Sequence, residues 1–383
     1  MLTKGKKMKN VDISFNNQMR QFRIKYEQKY MPHDMKPYWN AYQRRRFKES
    51  YFPAYKKSRN KKSKWQIFKD IIYLIFKWKC KPFHYFRYAL YQKKYTRKDI
   101  DQFLPETKFY YSILPKINSE YNLLDNKNVT NDILFANGIP IPKCILKVIN
   151  GHVFDGIGDE INDDVSLKKY FDKFDKDIIS KYSDCGSGGK QIKCFKKKES
   201  FYVCDGIKLT YNELINNYNG WLFQEKIFNH AILAGMHPNS LNSFRVMTYT
   251  KNCQSQVLYV ILKLGNNGAE TDNAHTKGIY ININMETGET EGEAYNEDLE
   301  IFDKHPFSKK ELKNIKIPYF NDLISLAKKC ALLFPSLTFV GWDIALTNKG
   351  FMVLEGNSSP GLTIIQRTNN GMEKFLRLYY DKN

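Results

Sequence analysis

The chain has 383 residues, of which 42% are hydrophobic, and its formal net charge is +21. This length and composition provide for two or three packed units with an ordinary core, which excludes a largely disordered chain. The N-terminus lacks the apolar core of a signal peptide, and no uncharged apolar run reaches the length of about 18 residues that a spanning helix needs, so neither secretion nor a spanning helix is predicted.

The charge divides the sequence into two parts near residue 110. Residues 1–110 contain 29 Lys and Arg against 8 Asp and Glu, which accounts for the whole excess of positive charge. The rest of the chain contains 32 of each sign and is neutral overall. We therefore expect a basic region over residues 1–110 and a separate domain over residues 111–383.

The seven cysteines are scattered and odd in number, and they show neither a CxxC pair nor a Cys/His metal spacing. Such a pattern predicts reduced thiols rather than a disulfide framework or a zinc site. A cytoplasmic location follows as the expectation.

Residues 1–110 are rich in Lys, Arg and aromatic residues and poor in Gly, which predicts a mainly helical region. Apolar residues recur at helical spacing in WQIFKDIIYLIFKWK, at Trp65, Phe68, Ile72, Ile75 and Phe76, which indicates an amphipathic helix. The favoured interpretation is a helix packed on the neighbouring domain with its lysines in solvent. A helix lying on an anionic membrane surface is the second, and nucleic acid ranks last because no binding module accompanies the charge.

After residue 110 short β-rich runs alternate with helical segments, which is typical of an α+β fold. A helix ending at Asn137-Gly138 precedes the first strand, and a helix over NDLISLAKKCALLF precedes two final strands joined by an Asn-Lys-Gly turn. The predicted strands lie in IPIPKCILKVING, DIISKYS, SFYVCDGIKL, WLFQEKI, SFRVMTYT, SQVLYVILKLG, KGIYININMETGE and FVGWDIALTNKGFMVLEGN.

A glycine-rich loop follows the strand that carries Lys181. The segment IISKYSDCGSGGKQI places Gly186, Ser187, Gly188 and Gly189 directly after that strand. Glycines let backbone N–H groups approach phosphate oxygens, and a nearby ammonium adds a point charge. Taken alone, such a loop is more often an ordinary turn, and the P-loop pattern is absent.

The segment WLFQEKIFNH ends an apolar strand with Gln224, Glu225 and Lys226. Its backbone can face an adenine edge, while Glu225 or His230 binds amino or ribose hydroxyl groups. By itself, the segment is better explained as an edge strand with a solvated charge pair.

The final hairpin carries the strongest chemical signal. Asp343 lies on one strand, and Glu355 and Asn357 lie on the next. Paired strands bring these three oxygen donors to one end of a sheet, and hard oxygen ligands suit Mg²⁺ that bridges phosphate oxygens. Asp343 lies within FVGWDIAL and Glu355 directly follows FMVL, so we expect partly buried carboxylates that need cations.

In this order, from about Leu123 to Gln366, the motifs resemble the ATP-grasp superfamily, and most closely its sugar-transfer-associated subgroup, also described as alpha-L-glutamate ligase-related. The Asp and Glu-x-Asn ending with its following Ser-Ser-Pro-Gly is the most specific part. The resemblance implies an ATP-grasp fold of two α+β subdomains that clasp ATP. It divides residues 111–383 into an entry segment to about 175, a lysine and glycine-loop subdomain over 176–230 and a metal-binding subdomain over 231–383.

The resemblance also implies roles for residues that bind the nucleotide. Lys127, which precedes the Gly-Ile-Pro-x-Pro turn, and Lys181 match the two phosphate-binding lysines, with the loop from Gly186 to Gly189 over the β- and γ-phosphates. Glu225, Lys226 and Ile227, next to Gln224, match the linker that contacts adenine, and His230 falls where a ribose-binding side chain is expected.

For the chemistry, Arg245 and Lys263 resemble the residues that neutralise the transferring phosphoryl group and the acyl-phosphate. Asp343, Glu355 and Asn357 match the metal ligands, which implies two Mg²⁺ ions, or Mn²⁺ in their place. One position departs from the subgroup: Lys277 in TDNAHTKGIYIN stands where the first of two glycines is expected. The Rossmann-like N-terminal domain of many ATP-grasp enzymes also has no counterpart in residues 1–110.

The implied activity is that of a carboxylate–amine ligase that makes an acyl-phosphate with ATP and transfers it to an amine or hydroxyl, in surface-polysaccharide or glycan-precursor synthesis. The alternatives are a kinase of the same fold and a basic adaptor for membranes or nucleic acid that keeps a relic nucleotide fold. The basic region fits an anionic glycan or a membrane surface, so the location includes the inner membrane face as a peripheral site.

Overall fold

The computed structural model describes residues 36–120, 123–183, 192–266, 272, 277–298 and 300–380. Within these ranges a helical N-terminal region precedes two antiparallel sheets with helices packed on them, which confirms the predicted α+β class. The Gly186 to Gly189 loop lies outside the described residues.

The first sheet has eight strands among the described residues, in the order β3-β2-β1-β8-β4-β5-β6-β7. Helices α9 (Asp164–Phe171) and α10 (Tyr211–Asn217) pack on it through Leu167, Phe171 and Leu214. Sequence reasoning missed β2, β3, β5 and both of these helices. The strands are β1 (Cys144–Ile149), β2 (His152–Asp155), β3 (Glu160–Ile161), β4 (Ile178–Tyr182), β5 (Ile192–Lys198), β6 (Phe201–Cys204), β7 (Ile207–Lys208) and β8 (Trp221–Glu225).

The second sheet has the order β13-β12-β11-β10-β9-β14-β15. Helix α12 (Phe320–Leu332) covers one face and buries Leu323, Ala327 and Cys330 against it. Every residue of β14 is buried, which explains its nearly continuous apolar sequence. The strands are β9 (Ser243–Lys251), β10 (Gln254–Leu264), β11 (Ile279–Ile283), β12 (Thr290–Tyr295), β13 (Ile301–Phe302), β14 (Phe339–Thr347) and β15 (Gly350–Asn357).

The N-terminal region covers the other face of the second sheet, together with two C-terminal helices. Its aromatic residues form one core with Met247, Tyr259 and Phe339 of that sheet and with Phe375. The helices are α1 (Lys36–Arg46), α2 (Phe52–Lys57), α3 (Lys64–Trp78), α4 (Phe83–Arg87), α5 (Arg97–Ile100), α6 (Glu106–Lys108) and α7 (Leu114–Ile117), with π-helical turns at Phe47–Tyr51 and Phe109–Ile113, and the C-terminal pair α13 (Leu362–Thr368) and α14 (Glu373–Tyr380).

Helix α3 belongs to the core shared with the second sheet, as the favoured interpretation expected, but it packs through a different face from the one inferred. It begins with a capping box at Ser63 and buries Ile67, Leu74 and Trp78. The five residues from which its amphipathic pattern was inferred are exposed instead, because a second apolar face points inward. None of the helices in the described ranges is long and apolar enough to cross a bilayer. The exposed set is Trp65, Phe68, Ile72, Ile75 and Phe76.

Two short helices lie where the sheets meet. Helix α8 (Lys127–Ala136) contacts β8 of the first sheet and β15 of the second, and α11 (Ala231–Ala234) follows the crossover between them. Helix α8 begins at Asn126, whose side chain accepts a hydrogen bond from Val129 N. The junction therefore brings together segments that are far apart in sequence.

Candidate active site

The three metal-ligand candidates lie side by side on β14 and β15. Asp343 pairs with Glu355, and Gly341 pairs with Asn357. Asn357 Nδ2 lies 3.5 Å from Glu355 Oε1. Paired residues and residues two apart on a strand share a face, so all three side chains lie on the same side of the hairpin.

This set offers two carboxylates and one amide. The part of the chain that the structure describes contains no group of three or more His, Cys, Asp or Glu that could hold a metal ion. Mg²⁺ in phosphate-transferring sites takes one or two protein carboxylates and fills its other positions with phosphate oxygens and water. The donor set therefore fits a metal that arrives with a phosphate ligand, rather than a metal held by protein alone.

Two cations of the neighbouring strands hold the Asp343 carboxylate. Arg245 Nε donates to Asp343 Oδ1 at 2.6 Å, and Arg245 Nη2 donates to Oδ2 at 3.0 Å. Lys263 Nζ lies 3.4 Å from Oδ2. Burial alone would raise the pKa of Asp343, but these cations outweigh it and hold the pKa well below its usual range. Asp343 is thus a buried anion at neutral pH.

The charged cluster continues to Asp272, which the sequence did not single out as a site residue. Lys263 Nζ lies 3.2 Å from Asp272 Oδ1, and Ser243 donates its hydroxyl to the other oxygen. Burial raises the pKa of Asp272, although Lys263 opposes the change. For Lys263, burial lowers the pKa, but Asp272 and Asp343 outweigh it and raise the pKa overall. Asp272 belongs to the TDNAHTKGIYIN motif, which was the only signal for it.

Lys127 and Lys181 come together from the first sheet and α8. Ser183 lies just after β4. Its carbonyl accepts a hydrogen bond from Lys127 N at 3.1 Å, and its hydroxyl accepts one from Asn128 N at 3.1 Å. Burial lowers the pKa of Lys181, Glu355 opposes this change, and the charge of Lys127 adds to it. Lys127, Lys181 and Glu355 therefore meet at the junction of the sheets, where all three line one cavity.

A narrow cavity at this junction has a volume of about 20 Å³, which is room for about one water molecule. Gln224, which is 3% exposed, donates from Nε2 to Asn131 Oδ1 at 3.0 Å, while its Oε1 has no hydrogen-bond partner among the described residues. Polar groups and aliphatic side chains share the lining: Lys127, Thr130, Asn131, Lys181, Gln224 and Glu355 with Leu124, Leu134, Ile141, Leu222, Val353, Leu354 and Gly356.

The residues after Gln224 lie outside this lining. Glu225 pairs with Lys176, and Lys226 Nζ lies 3.5 Å from Cys194 Sγ. His230 caps α11, where its Nδ1 accepts from Ile232 N at 3.3 Å. Of the WLFQEKIFNH segment, the structure thus brings Gln224 to the cavity, while Glu225, Lys226 and His230 contact other groups and Ile227 is not part of the lining.

Lys277 adopts the backbone conformation that glycine favours. Its φ is +58°, in the left-handed region. Its carbonyl accepts from Asn266 Nδ2 at 3.2 Å. The lysine therefore keeps a conformation suited to the glycine that the motif leads one to expect at this position.

A family model described as sugar-transfer associated ATP-grasp matches residues 107–377. No curated protein sequence matches the chain. Similar solved structures include an L-amino acid ligase from Bacillus licheniformis, at 12% identity over 63% of this chain and 42% of that one, with a TM-score of 0.36. D-alanine–D-alanine ligase from Bacillus anthracis is 12% identical over 69% of this chain and 67% of that one, with a TM-score of 0.38.

The ATP-grasp ligase PsnB with its minimal precursor is 16% identical over 66% of this chain and 60% of that one, with a TM-score of 0.34. The chain spans less than half of the L-amino acid ligase chain. These similarities are too low to transfer an activity, so the family model carries the assignment.

Proposed function

Because the chain belongs to the sugar-transfer associated ATP-grasp family, we propose that it is an ATP-dependent ligase that activates a carboxylate and joins it to an amine or a hydroxyl. The observation that carries this proposal is the convergence of Arg245, Lys263 and Lys181 on Asp343 and Glu355. Phosphoryl transfer between two anions requires cations concentrated beside carboxylates that bind a divalent metal.

Asp343, Glu355 and Asn357 would hold Mg²⁺, or Mn²⁺ in its place. The two carboxylates and the amide suit a hard cation that keeps positions free for phosphate oxygens. When bound, Mg²⁺ and ATP supply the phosphoryl group that turns a carboxylate into an acyl donor. Asp343 would share its oxygens between the metal and the two cations that it contacts in this structure.

The cationic side chains would divide between the two ends of the triphosphate. Lys127 and Lys181 lie on the first-sheet side of the cavity, where they would bind phosphate oxygens. Arg245 and Lys263 lie on the far side of Asp343, where they would neutralise the charge that develops on the phosphoryl group and the acyl-phosphate. Gln224 Oε1, which has no partner in the described part of the chain, would accept a hydrogen bond from the adenine amino group.

The cavity alone is far smaller than a nucleotide, so ATP would occupy it only if the two sheets moved apart. Its floor is formed by β8 and β4 and its opposite wall by β15. Such an opening would separate Lys181 from Glu355 and replace their electrostatic attraction with contacts to phosphate and metal.

The finer substrate assignment is a surface-polysaccharide or glycan precursor, such as a sugar acid joined to an amino acid, made at the inner membrane face. It draws its support from the family description and from the basic N-terminal region.

The test is ATP turnover screened against amino acids paired with nucleotide sugars and sugar acids, with mass spectrometry of the products. A ligase releases ADP and phosphate together with a new amide or ester, whereas a kinase leaves the phosphate on its product. We expect release of phosphate that depends on one substrate pair. A phosphorylated product would show that the protein is a kinase and not a ligase.

Matched variants connect that activity to the site. Lys181→Met should abolish the turnover, whereas Lys198→Met, which changes an exposed lysine of the same sheet, should leave it unchanged. If neither ATP binding nor turnover responds to Lys181→Met and Asp343→Asn, the proposal is wrong and the basic adaptor becomes the better description.

A further inference from the structure

Helix α3 has two apolar faces, and packing within the protein uses one of them. Ile67, Leu74 and Trp78 are buried in the core below the helix. On the outer face, Trp65 is 62% exposed, Phe68 52% and Phe76 75%. Ile72 and Ile75 lie between them and are exposed as well. A row of five large apolar side chains in solvent indicates a surface that another phase or molecule covers.

This outer face is a ridge and not a pocket. From Trp65 to Phe76 it extends about 17 Å along the helix, at 1.5 Å per residue. The rings of Trp65 and Phe68 stack with their centroids 5.6 Å apart. A shallow groove beside them is lined by Phe68, Ile72 and Tyr73 together with the basic Lys69 and Arg97. A convex apolar ridge suits insertion into a soft phase better than it suits a preformed protein groove.

The charge around the ridge is almost wholly positive. Residues 56–81 contain ten Lys and Arg against a single acidic residue, Asp70. That residue is buried, and Lys62 at 2.8 Å and Arg97 at 3.2 Å neutralise it. Lys69 lies over the Trp65 ring at 5.1 Å, and Lys64, Lys69 and Lys79 are exposed at the flanks of the ridge. The surroundings therefore complement an anionic surface.

We propose that the outer face of α3 docks onto an anionic lipid bilayer, with the aromatic and aliphatic side chains at the headgroup level and the flanking lysines on the phosphates. Interfacial helices bury their apolar face into the headgroup boundary and gain attraction from basic residues near anionic lipid. Tryptophan is enriched at such interfaces because its large apolar ring carries a polar N–H group. Nucleic acid would satisfy the lysines but would leave Ile72 and Ile75 in water.

The test uses the full-length protein and sedimentation with two kinds of vesicle, phosphatidylcholine alone and phosphatidylcholine with about 30% phosphatidylserine, an anionic lipid of the cytoplasmic leaflet. We expect binding to the anionic vesicles that weakens as salt is added, and little binding to phosphatidylcholine alone. The fluorescence of Trp65 should shift to shorter wavelength on binding, and Trp65→Phe should remove that shift.

Phe76→Glu tests the ridge directly, because a side chain that is 75% exposed can be changed without disturbing the fold. We expect the partition coefficient on anionic vesicles to fall at least about tenfold. Lys69→Gln should lower it about fivefold. The control is Phe135→Glu, the same change at a site that is 65% exposed on α8, which should leave binding unchanged.

Three results would overturn the proposal. The first is a lack of binding to the anionic vesicles. The second is binding that falls in Lys69→Gln but persists in Phe76→Glu, because charge alone would then explain it. The third is a wild-type dimer in analytical ultracentrifugation that Phe76→Glu converts to a monomer, because a second copy of the chain would then cover the ridge.

Discussion

Replacing Asp343 by Asn removes one negative charge from the buried cluster and keeps the shape of the side chain. Arg245 and Lys263, whose side chains are 17% and 6% exposed, then lose their shared carboxylate. Removing one partner of a buried ion pair lowers the free energy of unfolding by about 3–5 kcal/mol. Because the Asn carbonyl still accepts from Arg245 and Asp272 still contacts Lys263, we expect the lower end, about 3 kcal/mol.

The stability difference between wild type and Asp343→Asn should depend on pH in a direction that follows from the pKa of Asp343. The pKa of Asp343 is lower in the folded chain than in the unfolded chain, because the two cations outweigh burial. Such a carboxylate stabilises the fold above its unfolded pKa of about 3.9, and the stabilisation is lost as the pH falls through the folded value. The difference in stability between wild type and Asp343→Asn should therefore be complete at neutral pH and shrink below about pH 4.

Urea unfolding followed by tryptophan fluorescence, with and without Mg²⁺ and ATP, measures both effects. Ligand at about 100 times its Kd should stabilise the wild type by about 2.7 kcal/mol. Glu355→Gln is the matched control: Glu355 is only half-buried, so this variant should keep most of the ligand-free stability and lose the gain from ligand. The reasoning is refuted if Asp343→Asn is as stable as the wild type without ligand, or if Glu355→Gln keeps the full gain.

Three other variants test single features. Lys181→Met should leave the melting temperature unchanged or higher, because burial disfavours the ammonium, yet weaken ATP binding in calorimetry at least about tenfold; unchanged affinity would contradict the assigned role. Lys277→Gly should stabilise the fold by about 0.5 kcal/mol in urea by relieving the positive φ; a loss would show that side-chain contacts matter more. Burial lowers the pKa of His84 to about 3, so between pH 7 and pH 5 wild type should lose about 2 kcal/mol more stability than His84→Leu; equal slopes would refute this.

The placement of the metal-ligand candidates on the two strands of the final hairpin could be predicted, but their pairing could not, because a β-bulge between Asp343 and Ile344 shifts the register that the turn sets. The sequence placed Asp343 and Glu355 on consecutive strands joined by a short turn, and they face each other in the structure. The convergence of Lys181 on this pair could be expected only through the family resemblance. It depends on the contact between α8 and both sheets, which no local pattern specifies.

The partners of Asp343 could not be predicted, because they depend on strand pairing between distant segments. Arg245 lies opposite Asp343 only because β9 pairs with β14. Lys263 comes from a third strand, and Asp272 from the segment that follows it. The periodicity of α3 likewise revealed an apolar face, but a helix with apolar residues on two sides leaves open which side is buried.

The charges of the cavity lysines would affect whether the two sheets separate to admit a nucleotide. Lys127 and Lys181 repel each other on one wall, and burial between the sheets disfavours the charge of Lys181 further. Both terms weaken when the sheets separate and water enters, so they favour opening, whereas the attraction of Lys181 to Glu355 favours closure. A bound triphosphate would reverse the sign, since its oxygens attract both ammonium groups. The same two lysines would then favour closure on ATP, which couples binding of the nucleotide to assembly of the site around Asp343 and Glu355.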